Sequence, residues 1–125
     1  MASRATITLF HNPKCSTSRN AAKLLVEASD STNTFTIDTI EYLKHPLTKD
    51  QIKDILGFLD VEHHPEVYSE FLRKDAPKAE TVEQVQEILV NDPAMLQRPL
   101  VVDWEKKKAV IGRPAEAVLD IVKDL

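Results

Sequence analysis

Apolar and polar residues alternate from Ala5 to Phe10, with Ile7 and Leu9 set against Thr6 and Thr8, which is the period of a β-strand. The strand should stop at the turn-forming cluster His11-Asn12-Pro13. Beyond it the spacing changes to that of a helix: Ala21, Leu24, Leu25 and Ala28 predict a helix over about 17–27, with hydroxyl residues among Ser16, Thr17 and Ser18 as N-cap candidates. Residues 30–34 are polar and read as a loop. A second strand is expected over 35–43, with Phe35 and Ile37 on one face and Ile40 and Tyr42 on the other. Three helical segments follow. Thr48 and Gln51 make a capping-box pattern ahead of Ile52, Ile55, Leu56 and Leu59, and Thr81 and Gln84 repeat it ahead of Val82, Val85, Ile88 and Leu89. Between them Pro65 suits the first turn of a short helix carrying Tyr68, Phe71 and Leu72. Asp92-Pro93 should end the third helix. Strands over 99–104 and 109–111, four residues apart, must pair antiparallel. A last helix is expected after Gly112-Arg113-Pro114, on the apolar stripe Ala117, Val118, Ile121 and Val122.

The order is β-α-β, three helices, then β-β-α. A right-handed crossover makes the first two strands parallel, and the hairpin makes the last two antiparallel. The pattern predicts an α/β fold of thioredoxin-like arrangement. In it a mixed four-stranded sheet is flanked by helices on both faces, with a helical insertion between the two halves. The 125 residues suit a single domain spanning 1–125, since single cores are common at about 100–150 residues.

Composition narrows the function. A net charge of −4 argues against nucleic acid or an anionic membrane surface as partner. No apolar run approaches the roughly 20 residues of a membrane span. The start, Met1-Ala2-Ser3-Arg4, leads straight into the first strand, so no signal peptide is expected and a cytoplasmic location is. One cysteine makes no internal disulfide, which favours a reducing compartment. His45, His63 and His64 read as loop or helix-start residues; adjacent histidines do not share a helix face, so no metal site is expected.

The one cysteine, Cys15, is the chemical candidate. It sits after a strand and at the start of a helix, where free backbone N–H groups and the helix dipole favour an anion. At the free pKa of about 8.5 only about 3% of a thiol is ionised at pH 7. A value of about 6.5, within the range for helix N-termini, makes roughly three quarters thiolate. Lys14, Arg19 and His11 are close enough in sequence to add to the effect, or His11 orients the loop by hydrogen bonding. The competing reading is an inert, buried cysteine. Ser18 stands where a dithiol enzyme carries its second cysteine, so a disulfide at Cys15 must be resolved by another molecule's thiol, with glutathione the natural candidate. The spacing from Cys15 to Arg19 is too short for the Cys-x5-Arg loop of tyrosine phosphatases.

The segment His11-Asn12-Pro13-Lys14-Cys15-Ser16-Thr17-Ser18-Arg19 resembles the active-site loop of the glutaredoxin-coupled arsenate reductase family. Four further segments occur in that family's order: Tyr42-Leu43-Lys44-His45-Pro46, Phe71-Leu72-Arg73-Lys74, Gln97-Arg98-Pro99-Leu100-Val101-Val102 and Gly112-Arg113-Pro114-Ala115-Glu116. The stretch from Arg73 to Thr81 is shorter than in typical members, as in a shorter branch. The resemblance implies that Cys15 attacks arsenic and that Arg73, Arg98 and Arg113 converge on the oxyanion. It implies as well that His11 and Ser18, with Asn12 and Arg19 in the loop, support the thiolate. Pro99 matches the cis-proline beside the cysteine of thioredoxin folds. Planar guanidinium groups suit arsenate, which is largely a dianion near neutral pH.

The resemblance thus implies reduction of arsenate to arsenite, with glutathione as co-substrate, glutaredoxin as partner and no bound cofactor. A monomer is expected. Two alternatives stand beside it: a monothiol, glutathione-linked oxidoreductase acting on another substrate, and a non-catalytic redox regulatory module.

Overall fold

The structure, a computed structural model, describes residues 4–125; the expectation that rests on the first three residues lies outside them. Two compact units are present. A sheet unit combines the chain up to Glu41 with Arg98–Leu125, and a helical unit takes Tyr42–Gln97.

The sheet unit holds strands β1 (Ala5–His11), β2 (Phe35–Glu41), β3 (Leu100–Asp103) and β4 (Lys108–Ile111) in the order β2-β1-β3-β4. β1 and β2 run parallel, with Ile7 opposite Ile37; β3 is antiparallel to both β1 and β4. The mixed four-stranded sheet is the one that the pattern predicts. Helix α1 (Ser16–Thr32) makes the crossover between β1 and β2. Ala21 and Leu25 from α1 pack with Ile7, Leu9, Phe35, Val101, Val118 and Ile121 in one apolar cluster. That cluster fixes β1, and with it the loop that follows.

β3 is one residue shorter at each end than expected and β4 one longer at its start; three larger details also differ. First, α1 runs five residues further than the apolar spacing marks, through residues 28–32. Its polar last turn satisfies itself, since the Thr32 hydroxyl donates to the Ala28 carbonyl at 2.9 Å and the Ser29 hydroxyl to the Phe35 carbonyl at 2.7 Å. Asn33 then ends it in the left-handed region at φ 54, where its N–H bonds the Ser29 carbonyl. Second, β2 stops at Glu41, two residues early. Third, the last helix is a 3₁₀-helix, Ala115–Ile121. Its buried residues Ala115, Val118 and Ile121 recur every third position, the period at which a 3₁₀-helix presents one face.

The helical unit contains α2 (Lys49–Phe58), α3 (Val67–Phe71), α4 (Val82–Asn91) and a 3₁₀ turn at Pro93–Met95. The Thr48 capping box is complete: Gln51 N–H donates to the Thr48 hydroxyl at 3.1 Å and Thr48 N–H to the Gln51 side chain at 2.9 Å. The second box is half formed. Thr81 accepts from Gln84 N–H at 3.2 Å, but the Gln84 side chain reaches past it to Glu80 N–H at 2.7 Å. Ile52, Ile55, Leu56, Val85 and Leu89 are the buried faces of α2 and α4, and Gln86 ties α4 to the Lys49 carbonyl at 2.8 Å. The chain after α3 is held by a bridge between Leu72 and Leu96.

Candidate active site

β1 delivers its chain end into a loop that Asn12 builds. The Asn12 carbonyl accepts from Cys15 N–H at 3.0 Å, its side-chain oxygen accepts from Lys14 N–H at 3.0 Å, and the residue is buried. The result is a tight turn that sets Cys15 at the N-cap of α1, in extended conformation and without a side-chain cap bond. The hydroxyl residues expected to cap the helix therefore do not; the cysteine holds that place. Its thiol is half-buried and not sealed in the core, against the inert reading.

Burial alone would raise the Cys15 pKa. It is outweighed by the Ser18 N–H, a hydrogen bond from the Arg98 side chain, the Thr17 N–H and the charge of Arg113, so the thiol lies below its ordinary value. Arg113 places Nη2 3.7 Å from the Cys15 sulfur. Its Nε donates to the Arg98 carbonyl at 3.0 Å, which anchors the guanidinium at its base. Two residues 98 and 83 positions away in sequence thus meet the cysteine inside one unit. The Arg98–Pro99 bond is cis, as the resemblance suggests, and so is Arg113–Pro114.

The rest of the loop supports rather than charges the site. The Ser18 hydroxyl, fully buried, accepts from Asn12 N–H at 3.0 Å and lies 2.6 Å from Nδ1 of His11. Burial holds the His11 pKa below the ordinary imidazole value, Glu41 opposing and Arg19 adding to the shift, so the ring is neutral at pH 7. Asn12 N–H donates to the Ser18 oxygen, and the Ser18 hydroxyl and the His11 ring share a second hydrogen bond. His11 therefore orients the loop and brings no positive charge to the thiolate. Ser18 reaches the sulfur through its backbone N–H, not its hydroxyl. Arg19 Nη1 donates to the Pro13 carbonyl at 3.0 Å, so it braces the turn. The expected contribution of cations next to Cys15 in sequence is thus supplied by distant ones.

Arg73 belongs to the helical unit. Its N–H bonds the Met95 carbonyl at 2.8 Å and its Nε faces an Asp75 carboxylate oxygen at 3.6 Å. With Tyr68, Leu72, Lys74 and Lys78 it lines a cleft of about 730 Å³. Among the described residues no group of three or more His, Cys, Asp or Glu side chains is arranged to hold a metal ion, and no helix is long and apolar enough to cross a membrane. His63 is bound instead to Asp60 at 2.8 Å, a pairing that raises the exposed imidazole's pKa. The sequence reading missed the backbone N–H groups of Thr17 and Ser18 as named partners of the sulfur; the helix start was their only signal.

Residues 1–112 match the family described as "Protein of unknown function (DUF1687)". The chain is 32% identical over 123 residues to "Uncharacterized protein YfgD" of Escherichia coli K12, covering 93% of this chain and 96% of that one. It is 31% identical over 119 residues to the "Arsenate reductase" of Neisseria meningitidis serogroup A, covering 90% and 94%. Its fold superposes on the solved arsenate reductase of Vibrio cholerae with a TM-score of 0.77, at 24% identity, over 95% of this chain and 99% of the other. That likeness establishes the thioredoxin-like fold. The chain belongs to the DUF1687 family and, through relatives of this similarity over nearly its full length, to the arsenate reductase family.

Proposed function

We propose that this protein reduces arsenate to arsenite with its single cysteine as nucleophile, drawing electrons from glutathione and finishing through glutaredoxin. The observation that carries the reading is the meeting of Arg98 and Arg113 on a half-exposed Cys15 whose thiol is held below its ordinary pKa. A thiolate flanked by two guanidinium groups is suited to a dianionic substrate, because it offers nucleophile and counter-charge together. Curated relatives at about 30% identity that bear the name arsenate reductase support the choice of oxyanion.

In the proposed cycle the Cys15 sulfur bonds to arsenic, and one arsenate oxygen departs as water after taking up protons. The thiolate of glutathione then attacks the Cys15 sulfur. The sulfur–arsenic bond breaks, its electron pair stays on arsenic, and arsenite leaves. Two thiols have become one mixed disulfide, which accounts for both electrons gained by arsenic. The chain has no second cysteine to resolve that disulfide, so glutaredoxin removes the glutathione. Arg98 and Arg113 hold the oxyanion and stabilise its transition-state charge, and Arg73 is the third arginine that the resemblance assigns to it.

A coupled assay with arsenate, glutathione and glutaredoxin tests this. Arsenite should form in proportion to enzyme, and Cys15→Ser should abolish it while the protein stays folded. Oxidation with glutathione disulfide should add one glutathione, at Cys15, by mass spectrometry. A folded protein that takes up glutathione but makes no arsenite under these conditions would overturn the choice of substrate.

A further inference from the structure

Arg113 lies on the Cys15 thiol, and the residue before it is a glycine. Gly112 follows β4 and is buried. A Cβ at this position would lie 2.6 Å from Cγ of Pro99 and 2.7 Å from Cγ1 of Val118. Neither neighbour gives way easily. Pro99 is a rigid ring whose carbonyl already accepts the Gly112 N–H at 2.8 Å, and Val118 is fully buried in the sheet unit's core. Gly112 has no positive φ, so what the position requires is space, not an unusual backbone conformation.

The close approach has a geometric consequence. Seated on Pro99, the Gly112 backbone sets the start of the next residue. Arg113 then reaches the carbonyl of Arg98, the residue before Pro99, at 3.0 Å, and the Cys15 sulfur at 3.7 Å. Real Cβ atoms do not come as close as 2.6 Å, so a side chain at 112 requires Pro99 or Val118, or the strand end itself, to shift by several tenths of an ångström. A comparable displacement applied to the Arg113–sulfur contact carries it out of hydrogen-bond reach. We infer that Gly112 is a positioning residue for the thiolate: its missing side chain lets strand end and Pro99 close together, and that closure places the Arg113 guanidinium on Cys15. The inference rests on the reading of Cys15 as a thiolate nucleophile, and is independent of which substrate it attacks.

The test needs neither arsenate nor glutathione. The pH dependence of thiolate absorbance, and of alkylation by iodoacetamide, is compared in wild type, Gly112→Ala, Arg113→Ala and the double variant. Gly112→Ala should raise the Cys15 pKa and slow alkylation at pH 6 by about threefold or more, as Arg113→Ala does. The double variant should be no slower than Arg113→Ala alone, since no guanidinium is left to misplace. If Gly112→Ala does not fold, Gly112→Ala with Val118→Ala removes one of the two clashes and leaves the one with Pro99; the same shift is expected. A folded Gly112→Ala with the wild-type titration, or additive slowing in the double variant, overturns the inference. So does failure of both alanine variants to fold, for the glycine would then serve only the fold. Loss of arsenate turnover with all these shifts intact would instead count against the substrate alone.

Discussion

The two units hold their arginines in different ways. In the sheet unit Arg113 rests its Nε on a backbone carbonyl, that of Arg98, at 3.0 Å. In the helical unit the backbone of Arg73 is fixed by the Met95 carbonyl, but its guanidinium faces the exposed carboxylate of Asp75, at 3.6 Å. A carbonyl in a folded backbone is stationary, so Arg113 is aimed before any ligand arrives. An exposed ion pair is worth about 0–1 kcal/mol and orders two flexible side chains, so it is easily exchanged. Arg98 and Arg113 lower the thiol's pKa in the resting protein, whereas the Arg73 guanidinium is held by an exposed, exchangeable ion pair.

Separate readouts of rate and ionisation can break this division, and here the largest effects are expected. Arg98→Ala and Arg113→Ala should each lower arsenate turnover by roughly 10²–10³, and each should raise the Cys15 pKa. Arg73→Ala should lower turnover on the same scale, yet leave thiolate absorbance against pH as in wild type, because the groups that lower the thiol all come from the sheet unit. Arg→Lys at 113 should recover little, since an ammonium cannot serve carbonyl and sulfur with one rigid fork. An Arg73→Ala protein whose thiol titrates like that of Arg113→Ala would erase the distinction.

The same two units differ in how far their residues could be read in advance. Thr48 and Gln51 announce a helix start because both partners of a capping box lie within four residues; every bond involved is local. The strand directions were equally open to reasoning, since a short hairpin and a βαβ crossover each permit one direction. What stabilises the thiol was less legible. The cations nearest in sequence, Lys14 and Arg19, were natural suspects, but Arg19 is turned onto the Pro13 carbonyl and the charge comes from residues 98 and 113. Only a match of whole motifs pointed there, because tertiary contact leaves no periodic trace in the chain. The lowered pKa of His11 was hidden for the same reason: burial outweighs the opposing charge of Glu41, its partner in the parallel pair. The 3₁₀ form of the last helix was visible in part, in the spacing of Ala115, Val118 and Ile121, but the stripe including Ala117 and Val122 suggested an α-helix equally well.

A middle-sized effect sharpens the contrast from the helical side. Thr48→Ala removes a complete capping box and should cost about 1 kcal/mol in urea or thermal unfolding. Thr81→Ala should cost somewhat less, because the Gln84 side chain keeps its bond to Glu80 N–H. Neither change should alter the rate at which Cys15 is alkylated at pH 6. Slower alkylation in a folded Thr48→Ala protein would mean that the sheet unit does not hold its thiol by itself.

The smallest expected effect ties the thiol to the stability of the sheet unit. The Cys15 pKa is lowered on folding: burial raises it, but the Ser18 N–H, Arg98, the Thr17 N–H and Arg113 together pull it down further. Above the ordinary thiol value both native and unfolded chains are ionised there, and the native state keeps the full benefit. Between the native and the ordinary value the unfolded chain binds a proton that the native chain does not, so stability climbs with pH. Below the native value both are protonated, and the contribution is gone. Wild type should therefore gain stability on Cys15→Ser as pH rises through this window, and by a modest amount, since the thiol is partly exposed to solvent. Arg113→Ala should flatten that gain, whereas Arg73→Ala should leave its slope unchanged. Urea unfolding of these proteins at a series of pH values measures it, and a stability difference between wild type and Cys15→Ser that ignores pH would mean the fold does not select the thiolate.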